Sequence, residues 1–336
     1  MVQASGAGRA LILALLALAA LLALAGMAGC GDDDDSSATG SPTAAAGEPT
    51  GDASATAAPG TDEPSSGELG VHTGSLGIDG RGRSWRLYVP ESLPDGPVPL
   101  VVGLHGGLGS GEQFARSTDF DDQADAGGFI AAYPNGIGVF PTWNAGRCCG
   151  VAMRQNVNDV KFIEAMVAAI MDEYDIDRDR IYVAGHSNGA IMALRLACES
   201  DLFRAAGAVA GSLEVETCDP PSPVSLLLIH GDSDSNHPIG GGRGTDSIAN
   251  IDFTSVADSM AILAPAMGCS TDTEESADGP ITTTAWLGCP EGTRVELQVI
   301  AGANHAWPGG GPSLVGTPSD ALDATAELWE FFDSQD

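Results

Sequence analysis

The sequence is poor in positive charge. Its 336 residues carry 14 Lys and Arg against 46 Asp and Glu, a formal charge of −32, and Lys161 is the one lysine. A surface of that sign repels phosphate backbones and anionic headgroups, which excludes nucleic acid as a partner and charge-driven binding to anionic lipid. No phosphate-cradling loop and no dinucleotide fingerprint occur. The glycine run "GGGRG" (240–244) neither follows an apolar strand nor opens a helix, so it reads as a loop. No internal repeat is present. His230, Asp232, Asp234 and His237 crowd one short stretch, but their spacing matches no recognised ligand set. Neither a metal nor an organic cofactor is expected.

Residues 31–70 lack any large apolar side chain before Leu69. Such a stretch cannot bury a core and is expected to be a disordered acidic, Pro/Ser/Thr-rich tether spanning on the order of 35 Å. Ahead of it, Arg9 precedes an apolar run that ends in Met27-Ala28-Gly29-Cys30. This end resembles a bacterial lipobox. It implies a signal peptide over 1–29, lipid on Cys30 and a linker to residue 70, which leaves a folded domain over 71–336. The acyl chains would hold the protein on a membrane. An uncleaved anchor and plain secretion are the alternatives. An exported chain meets an oxidising compartment. With Cys30 lipidated, Cys148, Cys149, Cys198, Cys218, Cys269 and Cys289 remain as disulfide candidates, with 15 possible pairings. Cys269–Cys289 is the first choice, because the intervening segment reads as an exposed excursion. Cys198–Cys218 is next, which leaves the vicinal Cys148 and Cys149.

From about residue 71 short apolar strands alternate with helical periodicity. Strands are expected over 98–106, 129–134, 180–185, 204–211, 224–231 and 294–302, and helices over 156–174, 188–199, 252–268 and 318–335. The alternation predicts an α/β fold, a mainly parallel sheet covered by helices on both faces. Ligands of such sheets gather at the carboxyl ends of the strands.

Reactive residues stand at those ends. Gly185-His186-Ser187-Asn188-Gly189 has the Gly-x-Ser-x-Gly form of a nucleophile elbow. The match alone is weak, since roughly half a chance match is expected in so glycine-rich a chain. Its strand–turn–helix setting strengthens it, against the plainer reading of Ser187 as a helix N-cap. A serine hydroxyl needs a base, a base needs a carboxylate to fix its tautomer, and a developing oxyanion needs backbone N–H donors. The order Ser187, Asp234, His305 is that of the α/β-hydrolase arrangement. Asp232 is the rival acid. His186 is expected to point away from the serine, His105 and His230 to brace loops, and His237 to lie too close to Asp234 to be the base. The oxyanion donors expected are the N–H groups of Asn188 and Gly107.

"TWNAGRCCG" (142–150), "VNDVKFI" (157–163), "GHSNGA" (185–190) and "NHAWPGG" (304–310) together resemble the polyhydroxybutyrate-depolymerase-like and feruloyl esterase family of α/β-hydrolases. The resemblance spans about residues 72–333. It implies a secreted serine esterase without cofactor, with Ser187 as nucleophile, Asp234 as acid and His305 as base. The implied substrates are hydroxycinnamoyl or aryl esters on polysaccharide, or short hydroxyalkanoate oligomers. Trp143 and Trp307 match family tryptophans and are substrate-binding candidates together with His105. Packing against the catalytic loops is the preferred role for both indoles. Asp159 and Asn144 are expected to fix loops by hydrogen bonds. A serine peptidase of the same fold and a non-catalytic surface lipoprotein are the competing functions.

Overall fold

The structure is a computed structural model that describes residues 67–335; the apolar run, Cys30 and the acidic tether up to residue 66 lie outside the described residues. Among the described residues ten strands form one sheet in the order β1-β2-β4-β3-β5-β6-β7-β10-β9-β8. Six of them are parallel: β3 (Val98–Leu104), β4 (Ile130–Pro134), β5 (Ile176–His186), β6 (Ala205–Val209), β7 (Ser225–Gly231) and β10 (Val295–Ile300). β1 (Gly70–Ile78) and β2 (Arg81–Val89) extend one edge antiparallel, and β8 (Thr273–Asp278) and β9 (Ile281–Trp286) extend the other.

β3, β4, β6, β7 and the second half of β5 are buried on both faces because both faces are covered. Leu100, Val102, Ile130, Ala132, Ile181 and Val183 point into one core. Helices α4 (Asp159–Met171), α5 (Asn188–Glu199) and α6 (Val256–Ala266) close it with Phe162, Met192 and Leu263. The intervening residues Val101, Ala131, Tyr133, Tyr182 and Ala184 enter a second core. Helices α1 (Gly111–Thr118), α2 (Phe120–Gly127) and α7 (Ala324–Asp333) cover that one with Phe114, Phe120, Trp329 and Phe332. The period-two side-chain alternation of a strand produces this division. A short α3 (Gly150–Arg154) completes the helices among the described residues.

The structure adds elements that periodicity did not disclose: the β1–β2 and β8–β9 ribbons, α1, α2 and α3. It also shortens the closing helix, which starts at Ala324 rather than 318 because Asp323 caps it, its carboxylate accepting the N–H groups of Thr325 and Ala326. Cys198 is bonded to Cys218 and Cys269 to Cys289. The second bond closes the base of the exposed β8–β9 hairpin. Cys148 and Cys149 have their sulfurs together across a cis peptide bond. Among the described residues no helix is long and apolar enough to cross a membrane.

Candidate active site

Strand β5 runs straight into α5 through a one-residue corner. Ser187 occupies that corner with φ 55° and ψ −120°, a backbone state that L-residues seldom adopt. The corner closes because its flanks are glycine. A Cβ on Gly185 would collide with the Gly189 carbonyl, and one on Gly189 with the carbonyl of Leu104. Ser187 N–H donates to Val209 O at 2.9 Å, which ties the corner to the end of β6. Ser187 stands at the N-cap position of α5, yet its side chain makes no capping bond.

The hydroxyl points instead to the loop after β10. His305 Nδ1–H donates to Asp234 Oδ2 at 2.6 Å, which leaves Nε2 to accept the Ser187 hydroxyl at 2.8 Å. Asp234 sits on the turn after β7. Its second oxygen accepts the N–H groups of Asn236 and His237, both at 2.8 Å. Both Asp234 and His305 are buried, and Ser187 is half-buried. Burial alone would raise the Asp234 pKa. The His305 hydrogen bond and charge, with the His237 N–H, outweigh it and hold the carboxyl below its ordinary value. Asp232 is exposed and serves a different purpose, its Oδ1 accepting the Ser233 hydroxyl and the Gly302 N–H.

Three further histidines pack around this line, and His230 Nε2 stands 3.7 Å from Asp234 Oδ2. His186 turns away from the serine, and its Nε2–H donates to the carbonyl of His305 at 2.7 Å. His230 Nε2 lies 2.8 Å from the carbonyl of His237. His237 stacks on Phe253 at 3.9 Å, with Nε2 2.7 Å from Ser212 Oγ. Burial lowers the pKa of all three, that of His186 to about 4. Among the described residues no three His, Cys, Asp or Glu side chains converge as metal ligands.

The two residues expected to supply oxyanion donors lie on different elements beside the serine corner. Asn188 opens α5, and Gly107 lies in the loop after β3. Neither N–H has an intramolecular acceptor among the described residues. A Cβ on Gly106 would stand 3.4 Å from Ser187 Cβ, and one on Gly107 4.0 Å from Asn188 Cβ, so the loop lies directly on the elbow.

The three substrate-binding candidates are placed away from solvent. His105 and Trp143 are fully buried and Trp307 is 4% exposed. His105 is held by backbone on both ring nitrogens. Trp307 donates to Thr325 Oγ1 and meets Phe114 edge-on at 5.4 Å. Burial is the physical reason that none of the three offers a free face to a ligand. Asp159 pairs with buried Arg83 at 2.7 Å and accepts the Asn144 N–H, and Asn144 Nδ2 donates to Val157 O. One buried group carried no signal in sequence: Glu214, whose Oε1 accepts the Ser212 hydroxyl and the Thr254 N–H.

Residues 83–236 match the family model described as Esterase PHB depolymerase. Feruloyl esterase C of Emericella nidulans is 30% identical over 264 residues, covering 75% of this chain and 84% of that protein. NocK of Nocardia uniformis subsp. tsuyamanensis, an esterase by name, is 30% identical over 277 residues, covering 76% and 80%. The chain belongs to this esterase family. It is therefore a carboxylic ester hydrolase. Acetyl xylan esterase from Aspergillus awamori superposes on this esterase with a TM-score of 0.54 at 17% identity, covering 78% of the chain and 99% of that structure, which shows the shared α/β-hydrolase fold.

Proposed function

We propose that this esterase cleaves its substrate through an acyl-enzyme on Ser187. The hydroxyl attacks the ester carbonyl while His305 Nε2 takes its proton. Asp234 holds the imidazole in the receiving tautomer and stabilises the imidazolium. The N–H groups of Asn188 and Gly107 receive the oxyanion. The imidazolium then protonates the departing alcohol, and a water molecule repeats the sequence to free the acid. The observation that supports this reading is the unbroken chain from Ser187 Oγ through His305 to Asp234, at 2.8 and 2.6 Å.

The substrate class proposed is a hydroxycinnamoyl or other aryl ester borne on polysaccharide, with short hydroxyalkanoate oligomers as the second choice. Relatives named feruloyl esterase and acetylxylan esterase favour the first. The enzyme is further proposed to be exported and held on the membrane by lipid on Cys30, with residues 31–66 as its tether. The test is pre-steady-state hydrolysis of a p-nitrophenyl ester, followed by a panel of aryl, hydroxycinnamoyl and hydroxybutyrate esters. A burst equal to the enzyme concentration, absent in Ser187→Ala, is expected. Steady turnover in Ser187→Ala within tenfold of wild type would reject the assignment. Radiolabelled palmitate retained by the wild type and lost in Cys30→Ala tests the anchor.

A further inference from the structure

The two oxyanion donors belong to separate elements, one to the start of α5 and one to the loop after β3. Their separation must be held to a fraction of an ångström for both to reach one oxygen, and a misplacement of about 1 Å in such a site costs on the order of 100-fold in rate. A buried chain of polar groups connects them. The Asn188 side chain pairs with the backbone of Trp143 in both directions, accepting its N–H at 2.8 Å and donating to its carbonyl at 3.2 Å. The Trp143 indole N–H donates to the carbonyl of His105 at 2.9 Å.

His105 carries the connection to the loop. Gly136 N–H donates to His105 Nε2 at 2.9 Å, and an N–H can only donate, so the ring proton resides on Nδ1. Nδ1–H then donates to Gly106 O at 2.7 Å, an acceptor that also takes the Gly109 N–H at 3.1 Å. The C=O and N–H of a trans peptide point in opposite directions. Drawing the Gly106 carbonyl towards His105 therefore turns the Gly107 N–H away from it. Leu108 N–H donates to Pro141 O at 2.8 Å and fixes the far side of the same loop.

We propose that Asn188, Trp143 and His105 are positioning residues that act as one clamp, setting the distance and direction of the Gly107 N–H relative to the Asn188 N–H. This rests on the reading of Ser187 as the nucleophile. The Asn188 side chain and the indole N–H are the two links that can be cut without removing either backbone donor.

The test is a cycle of Asn188→Ala, Trp143→Phe and the double variant, with Trp329→Phe as a buried-indole control on α7. Each is assayed on a p-nitrophenyl ester and on the matching thionoester, whose sulfur accepts hydrogen bonds poorly and so gains little from an oxyanion site. Each single variant is expected to lose on the order of 100-fold in kcat with KM within threefold. The double variant should fall no more than about threefold below the worse single, because both cut one clamp. The preference for ester over thionoester should shrink in all three and stay at the wild-type value in Trp329→Phe. If Trp143→Phe does not fold, Asn188→Asp, which keeps the acceptor for the Trp143 N–H, takes its place and should show a smaller loss in kcat and in preference. The clamp is overturned by a kcat within threefold of wild type, by losses that multiply in the double variant, or by an unchanged preference. Ser187→Ala keeps the two readings apart: if it retains turnover, the nucleophile assignment fails, whereas its inactivity beside unaffected clamp variants defeats the clamp alone.

Discussion

The carboxyl ends of the central strands and the β8–β9 hairpin use the same chain in opposite ways. Around Ser187 the flanking strands are buried along their whole length, and the loops that follow them are tied by side chain–backbone bonds from Asp234, His186, His105 and Asn188. The hairpin presents an exposed strand, TEESAD, to water and depends on its partner strand and the Cys269–Cys289 bond. One region spends stability on strain and buried polar groups; the other has little of either. Substitutions should therefore divide sharply between activity and stability according to region.

The largest effect should come from Ser187→Ala, which removes the proposed nucleophile. Its kcat on a p-nitrophenyl ester is expected to fall roughly 10⁶-fold, the scale seen when such a serine is deleted from a hydrolase. Asp234→Asn should follow at about 10⁴-fold, because an amide can donate to Nδ1 and so favours the wrong imidazole tautomer. Its folded secondary structure should be retained by circular dichroism. Acid should act next, and also at the catalytic end. His105 and His186 titrate at about 4 in the fold because burial penalises their charged forms. They titrate near 6.5 when unfolded. The unfolded chain therefore binds more protons below that value. Their contribution to stability is fully present above about pH 6.5 and is lost as pH falls towards 4. Urea midpoints across this range should drop, and less steeply in His105→Asn.

In the hairpin the expectations reverse. Cys269→Ser with Cys289→Ser opens a loop of 20 residues and should cost about 3 kcal/mol of stability in urea while leaving kcat unchanged. Smallest of all, Glu275→Lys on the exposed strand should shift stability by no more than about 0.5 kcal/mol and activity not at all. A large loss of turnover from either hairpin change would erase the contrast.

The same contrast decides what could be read in advance. The parallel core was legible because its strands carry short apolar runs, four of which are followed by reactive or glycine residues, as at Val183-Ala184-Gly185-His186-Ser187. Chain order then pointed to Asp234 and His305. β1 was not legible: its inner residues Leu76 and Ile78 are only half-buried, and glycines interrupt the alternation. α1 and α2 have eight residues each, about two turns, and each carries one large apolar side chain, Phe114 and Phe120, too few for the helical period to be counted. The proposed oxyanion donors could be named from the elbow and the HGG loop. The clamp behind them could not, because Asn188 and Trp143 are 45 residues apart and nothing in an asparagine next to a serine signals which backbone it will pair with. The tryptophans were recognisable as important, but only their burial distinguishes packing from stacking on a substrate.

The central claim is that the hydroxyl at the β5–α5 corner carries the chemistry. Incubating the enzyme with a fluorophosphonate, digesting it and mapping the phosphonylated peptide by mass spectrometry tests this most directly. One adduct per chain is expected, on Ser187, formed far more slowly in Asp234→Asn and absent from Ser187→Ala. An adduct on any other residue, or unlabelled wild-type enzyme that still turns over ester, would contradict it.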